Sequence, residues 1–333
     1  MNRCPGCLKA GHKTFCTRCH RTLFGPGSKR VPAVLPFTRP AYDREKVAVT
    51  GERLSLSGVQ TKMPLALVDG HLQMVQSGGQ YILKPRPHGT FLRLEAAPIN
   101  EHLTMQIARQ VFRISVADSA LVTLQDGEHA YLVRRFDVQS NGQKLLQEDF
   151  AQISGRSPDT HGANYKYDFS YEAIGNLIRR HVATFRVDLE RFFTLVVFNY
   201  LVNNGDAHAK NFSLIRDDTT SQYNLTPAYD LLNTRLHLPD ESRTALDLFQ
   251  DDFETESFKK QAFYAYDDYA EFAKRLGLVE TRFRRIMEMF IGKNCDVEAM
   301  IDASELSDEC KGLYKHHVRD RVAALANSLA KLR

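Results

Sequence analysis

The spacing of apolar residues changes once along this chain, and that change restricts the fold more than any other feature. From about residue 52 to 145, apolar and polar residues alternate in short runs, among them 63–68, 72–75 and 80–84. Alternation with a period of about two is the pattern of half-buried strands. Beyond about residue 171 the repeat lengthens to about 3.6, the period of helices with one apolar face. The fold class this predicts is α+β, with a β-rich first lobe and an all-helical second lobe. With 333 residues, 43% of them apolar, the chain can bury a core large enough for two cooperating lobes, which excludes a disordered or fibrous protein.

Local signals refine this division. One helix interrupts the strands: it follows Pro98, a good first-turn residue, and sets Leu103, Ile107, Ala108 and Val111 on one face. Ser77, Gly78 and Gly79 offer the positive φ that a tight hairpin needs between two strand runs. In the second lobe Leu189, Phe193, Val196, Val197 and Tyr200 form a wide apolar stripe, so their helix belongs in the core, and Asn203, Asn204 and Gly205 stop it. Further helices are expected over 268–276, 279–291 and about 307–332. Pro26, Pro32, Pro36 and Pro40 rule out regular helix or central strand and read as a tether. The expected domains are a Cys-rich segment at 1–25, a Pro-rich linker at 26–50, the β-rich lobe at 51–150 and the helical lobe at 151–333.

Charge and cysteine usage bound the function. Lys and Arg number 44 against 40 Asp and Glu, too even a balance for a dedicated nucleic-acid binder, so no direct nucleic-acid contact is expected. The longest apolar stretch, 192–202, is interrupted by Thr194, Asn199 and Tyr200 and is too short to cross a bilayer. The start, Met1-Asn2-Arg3-Cys4, lacks the apolar run of a secretory signal, so the expected location is cytoplasmic. In a reducing compartment Cys4-x2-Cys7-x8-Cys16-x2-Cys19 suggests two knuckles around a structural zinc ion, with His12 and His20 near enough to substitute. A reduced, metal-free segment is the alternative. Four thiolates would leave the metal no open position, which points to scaffolding rather than catalysis. Cys295 and Cys310 read as ordinary buried thiols.

The chemistry concentrates after the apolar helix. Asp206 is followed five positions later by Asn211, the spacing of a protein-kinase catalytic loop. Phosphoryl transfer needs an acceptor for the substrate hydroxyl proton and neutral oxygen ligands for magnesium, and one short loop can present both. Asp206 would be the base and Asn211 a metal ligand. Residues 212–215 and 222–225 read as a hairpin that delivers Asp230, a second magnesium ligand, although Leu231 and Leu232 stand where kinases have Phe and Gly. Upstream, Lys84 ends an apolar strand, placed to hold the α- and β-phosphates of ATP. Glu101 on the next helix is its natural ion-pair partner, or else an exposed helix carboxylate. Each signal is modest alone, but lysine, glutamate, Asp-x4-Asn and a final Asp occur in the required order. A G-x-G-x-x-G loop is missing. The stretch 54–62, with its single Gly58, could lay backbone N–H groups on phosphate, could itself receive phosphate, or could be an ordinary polar turn.

Taken together, Ser-Leu-Ser-Gly-Val-Gln-Thr-Lys at 55–62, Ile-Leu-Lys-Pro at 82–85, Asn-Glu-His at 100–102, Arg-Arg-Phe-Asp at 134–137, Gln-Glu-Asp-Phe at 147–150, Asp-Ala-His-Ala-Lys-Asn-Phe at 206–212 and Leu-Thr-Pro-Ala-Tyr-Asp at 225–230 resemble the motifs of the HipA-like kinase toxins. The resemblance implies a two-lobed kinase fold and a toxin that phosphorylates an aminoacyl-tRNA synthetase, lowers charged tRNA and arrests growth. It implies ATP and magnesium as cofactors, and as partners a HipB-like DNA-binding antitoxin. The Ser-x-Ser motif and the absence of room for an extra N-terminal subdomain look like the short HipT branch, which works with a separate small HipS-like protein. By the same analogy Ser55 and Ser57 are autophosphorylation sites, Ser57 and Gly58 meet the nucleotide phosphates, and Val133, Arg135 and Phe136 line the adenine pocket between the lobes. His208 and Lys210 of the catalytic loop would also face the nucleotide. Two rival readings remain: an aminoglycoside- or lipid-type kinase of related fold, which would share Lys84, Asp206, Asn211 and Asp230, and a catalytically inactive regulator, whose signature would be loss of ATP binding.

Overall fold

A computed structural model describes residues 2–38, 60–139 and 141–330. Ser55, Ser57 and Gly58, with the rest of 39–59, lie outside the described residues. The first lobe is built on a sheet of β1 (Val34–Leu35), β2 (Met63–Val68), β3 (His71–Met74), β4 (Tyr81–Pro85), β5 (Ser119–Leu124) and β6 (His129–Arg134). Their order is β1-β5-β6-β4-β2-β3, antiparallel except for β1 beside β5.

Two layers cover this sheet, and strand alternation decides which residue meets which. Leu83 and Leu132 lie opposite each other and join Leu23, Phe24, Val31 and Leu35 in an apolar cluster on one face. That layer consists of α1 (Thr17–Phe24) and the chain following it. Lys84, one residue on from Leu83 and paired with Tyr131, is turned to the other face. There α2 (Ala97–Gln110) is buried nearly all round, because it packs on the sheet and on the second lobe at once.

Two expectations are corrected here. Part of the segment read as a tether is sheet edge: Val34–Leu35 pairs with β5, while Val31 and Leu35 are buried. An edge position tolerates the flanking prolines because it leaves backbone N–H groups unneeded. The hairpin turn falls at Asp69-Gly70, both with positive φ, not at Ser77–Gly79. The latter stretch carries the chain from outer β3 back past β2 to β4. At Gly79 a Cβ would come within 2.6 Å of the Leu65 carbonyl oxygen, so close backbone approach, not turn geometry, demands that glycine.

The second lobe holds α3 (Phe150–Ile153), α4 (Pro158–His161), α5 (Tyr171–His181), α6 (Phe185–Leu201), α7 (Glu256–Gln261), α8 (Tyr266–Arg275), α9 (Glu280–Gly292), α10 (Asn294–Ala303) and α11 (Asp308–Ala326). It is not all-helical: the expected hairpin, β8 (Ser213–Arg216) and β9 (Tyr223–Leu225), is joined by β7 (Gln147–Asp149) in a small antiparallel sheet. α6 is the central rod, its Leu189, Phe192, Phe193, Val197 and Tyr200 buried in a core that continues through α2 to α11. α11 stops earlier than expected because Asp267, in the first turn of α8, captures the Ser328 hydroxyl at 2.6 Å and the Leu329 N–H at 2.7 Å. Cys310 is buried, but Cys295 is exposed, contrary to expectation. Among the described residues no helix is long and apolar enough to cross a membrane.

Candidate active site

The loop after α6 is held by its own asparagines. Asn203 takes a left-handed conformation, φ +56°, and ends the helix. Asn204 donates to Asn199 Oδ1 at 2.9 Å, the Gly205 N–H donates to Thr234 Oγ1 at 2.8 Å, and the Tyr171 hydroxyl donates to the Ala207 carbonyl at 3.0 Å. Asp206 is thereby fixed in a buried position, where its Oδ1 accepts from the Tyr167 hydroxyl at 2.5 Å. His208 Nε2 lies 3.7 Å from the same oxygen. Burial, reinforced by the charge of Lys166, pushes the His208 pKa down to about 3, so the ring is neutral at physiological pH. Asn211 is also buried, and its Oδ1 has no hydrogen-bond partner. An orphaned carboxamide oxygen of this kind suits a hard cation such as magnesium.

Strand, helix and hairpin meet at Lys84. Its Nζ donates to Glu101 Oε1 at 2.6 Å and also contacts Asp230 Oδ1, forming a buried triad. Lys62 Nζ adds a second positive charge 4.0 Å from Asp230 Oδ2. Asp230 has φ +54°, and its backbone carbonyl accepts from Asn204 Nδ2 at 3.4 Å, which ties it to the Asp206 loop. Burial drives Lys84 towards its neutral form, but Asp230 and Glu101 together hold its pKa above the ordinary lysine value. Burial also opposes the Asp230 carboxylate, yet Lys84 and Lys62 keep its pKa well below normal.

Glu101 fares differently, because one ammonium serves two carboxylates. Burial raises it, Lys84 only partly offsets that, and the Asp230 charge raises it further, to about 7 from an ordinary 4.5. The folded protein therefore holds a proton on Glu101 that the unfolded chain releases, and stability falls as pH rises from 4.5 to about 7. Asp230, shifted the other way, loses its contribution only below that window. Over this range the nucleotide-free protein is expected to lose about 3 kcal/mol that Glu101→Gln does not lose. Thermal unfolding of both proteins at pH 5 and 7.5 measures it; parallel pH dependences would remove Glu101 as the source.

The other residues singled out from the sequence are dispersed around this centre. Val133 is half-buried at the end of β6, and the Arg135 side chain is engaged bidentately with Asp137 at 2.9 and 2.6 Å. Phe136 packs on Tyr229, ring centroids 5.8 Å apart, and Lys210 Nζ donates to the Tyr165 hydroxyl at 3.1 Å. Sequence reasoning overlooked Lys62, Asn204, Lys166 and Tyr167 as site residues. Lys62 ends the Ser-Leu-Ser-Gly-Val-Gln-Thr-Lys motif and could have been read there. Lys166 and Tyr167 come from an irregular stretch with no periodic or motif signal.

Residues 54–297 match the family model of the HipA-like C-terminal domain. A protein of Haemophilus influenzae named as a putative kinase is 29% identical over 265 residues, 73% of this chain and 73% of its own length. The serine/threonine-protein kinase toxin HipA of Shewanella oneidensis is 29% identical over 258 residues, covering 68% of this chain and 52% of the relative. The chain spans about half the length of three of the curated relatives it matches. Among solved structures, the Shewanella oneidensis MR-1 toxin–antitoxin complex of HipA, HipB and operator DNA superposes with a TM-score of 0.64 at 22% identity, covering 85% of this chain and 67% of that one. At that identity the superposition speaks for the fold.

Proposed function

This chain belongs to the HipA-like C-terminal domain family, and from that membership we propose that it is an ATP-dependent serine/threonine protein kinase acting as the toxin of a HipT-type toxin–antitoxin system. The observation that carries the reading is the triad in which Lys84 of β4 touches both Glu101 of α2 and Asp230 after the β8–β9 hairpin. Three elements far apart in sequence converge on one ammonium, as a nucleotide-clamping site requires.

In this reading Asp206 accepts the proton of the attacking hydroxyl. Tyr167 donates to one oxygen of the carboxylate and so fixes its orientation, and neutral His208 adds no competing charge. Lys84 would hold the α- and β-phosphates, with Glu101 keeping its ammonium oriented. Asn211 and Asp230 would hold magnesium, which, when bound, offsets the negative charge of the transferring phosphoryl group. Val133 to Phe136 would meet the adenine, and Lys210 the phosphates. Ser55 and Ser57 would take up phosphate from the same ATP. About two negative charges added beside the nucleotide phosphates would repel the loop and switch the enzyme off.

The expected target is an aminoacyl-tRNA synthetase, and the expected partners are a HipB-like DNA-binding protein and a HipS-like small protein. The relative from Shewanella was solved together with HipB and operator DNA, which supports the first of these partners. Phosphoproteomics after controlled expression tests the target: a new phosphoserine in a tRNA synthetase is expected, absent with an inactive variant. Phosphorylation confined to small molecules would favour the aminoglycoside- or lipid-kinase reading instead. Replacing Ser55 and Ser57 together by alanine should remove loop phosphopeptides after incubation with ATP and leave the kinase permanently active. Loop phosphorylation that persists elsewhere overturns that assignment.

A further inference from the structure

We propose that Cys4, Cys7, Cys16 and Cys19 hold one zinc ion as a closed four-thiolate site, and that this metal fixes α2 and so keeps Glu101 on Lys84. The metal half stands on geometry alone; the coupling half rests on the kinase reading above.

The four sulfurs lie within 4.8 Å of one another, and Cys7 Sγ is 3.9 Å from Cys16 Sγ. Zinc–sulfur bonds of about 2.3 Å in a tetrahedron put sulfurs about 3.8 Å apart, whereas a disulfide would need about 2 Å. The surrounding backbone is shaped for thiolates. The Cys16 N–H donates to Cys4 Sγ at 3.2 Å, and the Cys19 N–H donates to Cys16 Sγ at 3.5 Å. Gly6, between the first two cysteines, could not carry a side chain, since a Cβ there would sit 2.7 Å from Cys19 Cβ and 2.9 Å from its sulfur. Four thiolates this close repel one another unless a cation stands between them, and an all-sulfur donor set selects zinc over magnesium or calcium.

The same knuckle is bonded to α2 at two points, mid-helix and at its C-terminal end. The Gly6 carbonyl lies 3.4 Å from His102 Nε2, and His102 follows Glu101 directly. The Cys7 carbonyl accepts from Gln110 Nε2 at 3.0 Å, at the last residue of α2. Pro5 accepts from the Leu121 N–H of β5 at 2.9 Å, and Leu8 enters the core that α2 shares with the second lobe. The carbonyls that hold the helix thus belong to the loop whose shape the metal would set. Without the metal that loop loses its organising centre, and α2 loses two of its fixings.

Metal analysis of the full-length protein, purified under reducing conditions, is expected to find about one zinc per chain. Removal with a zinc chelator should speed amide exchange in the peptide covering α2 and weaken ATP affinity roughly tenfold, with both restored by added zinc. Because cysteine variants can fail to fold, His102→Ala with Gln110→Ala serves as the second probe: it should retain zinc yet show the faster α2 exchange. Absence of zinc, or another metal in its place, overturns the site. Zinc that leaves without changing α2 exchange overturns the coupling. Zinc content and amide exchange are both read without ATP, so they decide these points even if the chain proves to bind no nucleotide.

Discussion

Asp206→Asn is expected to lower phosphoryl transfer roughly a thousandfold while leaving the fold and ATP affinity intact. The side chains have the same size, and Asn keeps the Oδ1 that accepts from the Tyr167 hydroxyl, so the loop retains its anchor. What disappears is the proton acceptor. His208, 3.7 Å away, cannot replace it, because a ring whose pKa burial has pushed down to about 3 is too weak a base near neutrality. The nucleotide-clamping residues Lys84, Glu101 and Asp230 are untouched, so ATP binding by calorimetry should match the parent. Transfer of labelled γ-phosphate to substrate and to the protein itself is the measurement. A residual rate within tenfold of the parent would show that Asp206 does not serve as the base.

That the structure gathers Lys84, Glu101 and Asp230 shows what a linear sequence can reveal when chemistry follows regular elements. Lys84 was legible because it ends an apolar strand, and Glu101 because Pro98 marks the first turn of the helix that carries it. β2 and the α6 core stripe were legible because periodicity reports burial directly. The departures arise where tertiary contacts decide. Gly79 serves a backbone crossing that no local pattern announces. The hairpin turn is an exception, since Asp69-Gly70 is itself a local turn signal. α10 begins almost directly after α9, at Asn294, where Gly292 and Asn294 look like a terminus rather than a joint between two helices. Tyr167 reaches Asp206 from an irregular segment, and only the folded chain brings residues that far apart in sequence together.

The buried triad predicts the largest stability effect. Lys84→Met removes the one buried ammonium that two carboxylates share, and Lys62, half-exposed and 4.0 Å from Asp230, cannot replace it for Glu101. Breaking a buried ion pair from one side costs about 3–5 kcal/mol, because the abandoned charge stays desolvated. For a chain of 333 residues that lowers the melting temperature by about 4–7 °C, alongside loss of ATP binding. Two further results identify the cause. First, the deficit should shrink as pH falls from 7.5 to 5: without Lys84, burial and the Asp230 charge both raise the Glu101 pKa, so the side chain takes up a proton and its burial penalty vanishes. Second, Lys84→Met combined with Glu101→Met should be more stable than Lys84→Met alone, though equally unable to hold ATP, since an apolar pair of similar volume replaces a stranded carboxylate. Thermal unfolding of the two variants across that pH range separates the alternatives. A single variant as stable as the parent at pH 7.5, or a double variant no better than the single, would mean that Lys84 does not offset the buried negative charge of Glu101 and Asp230.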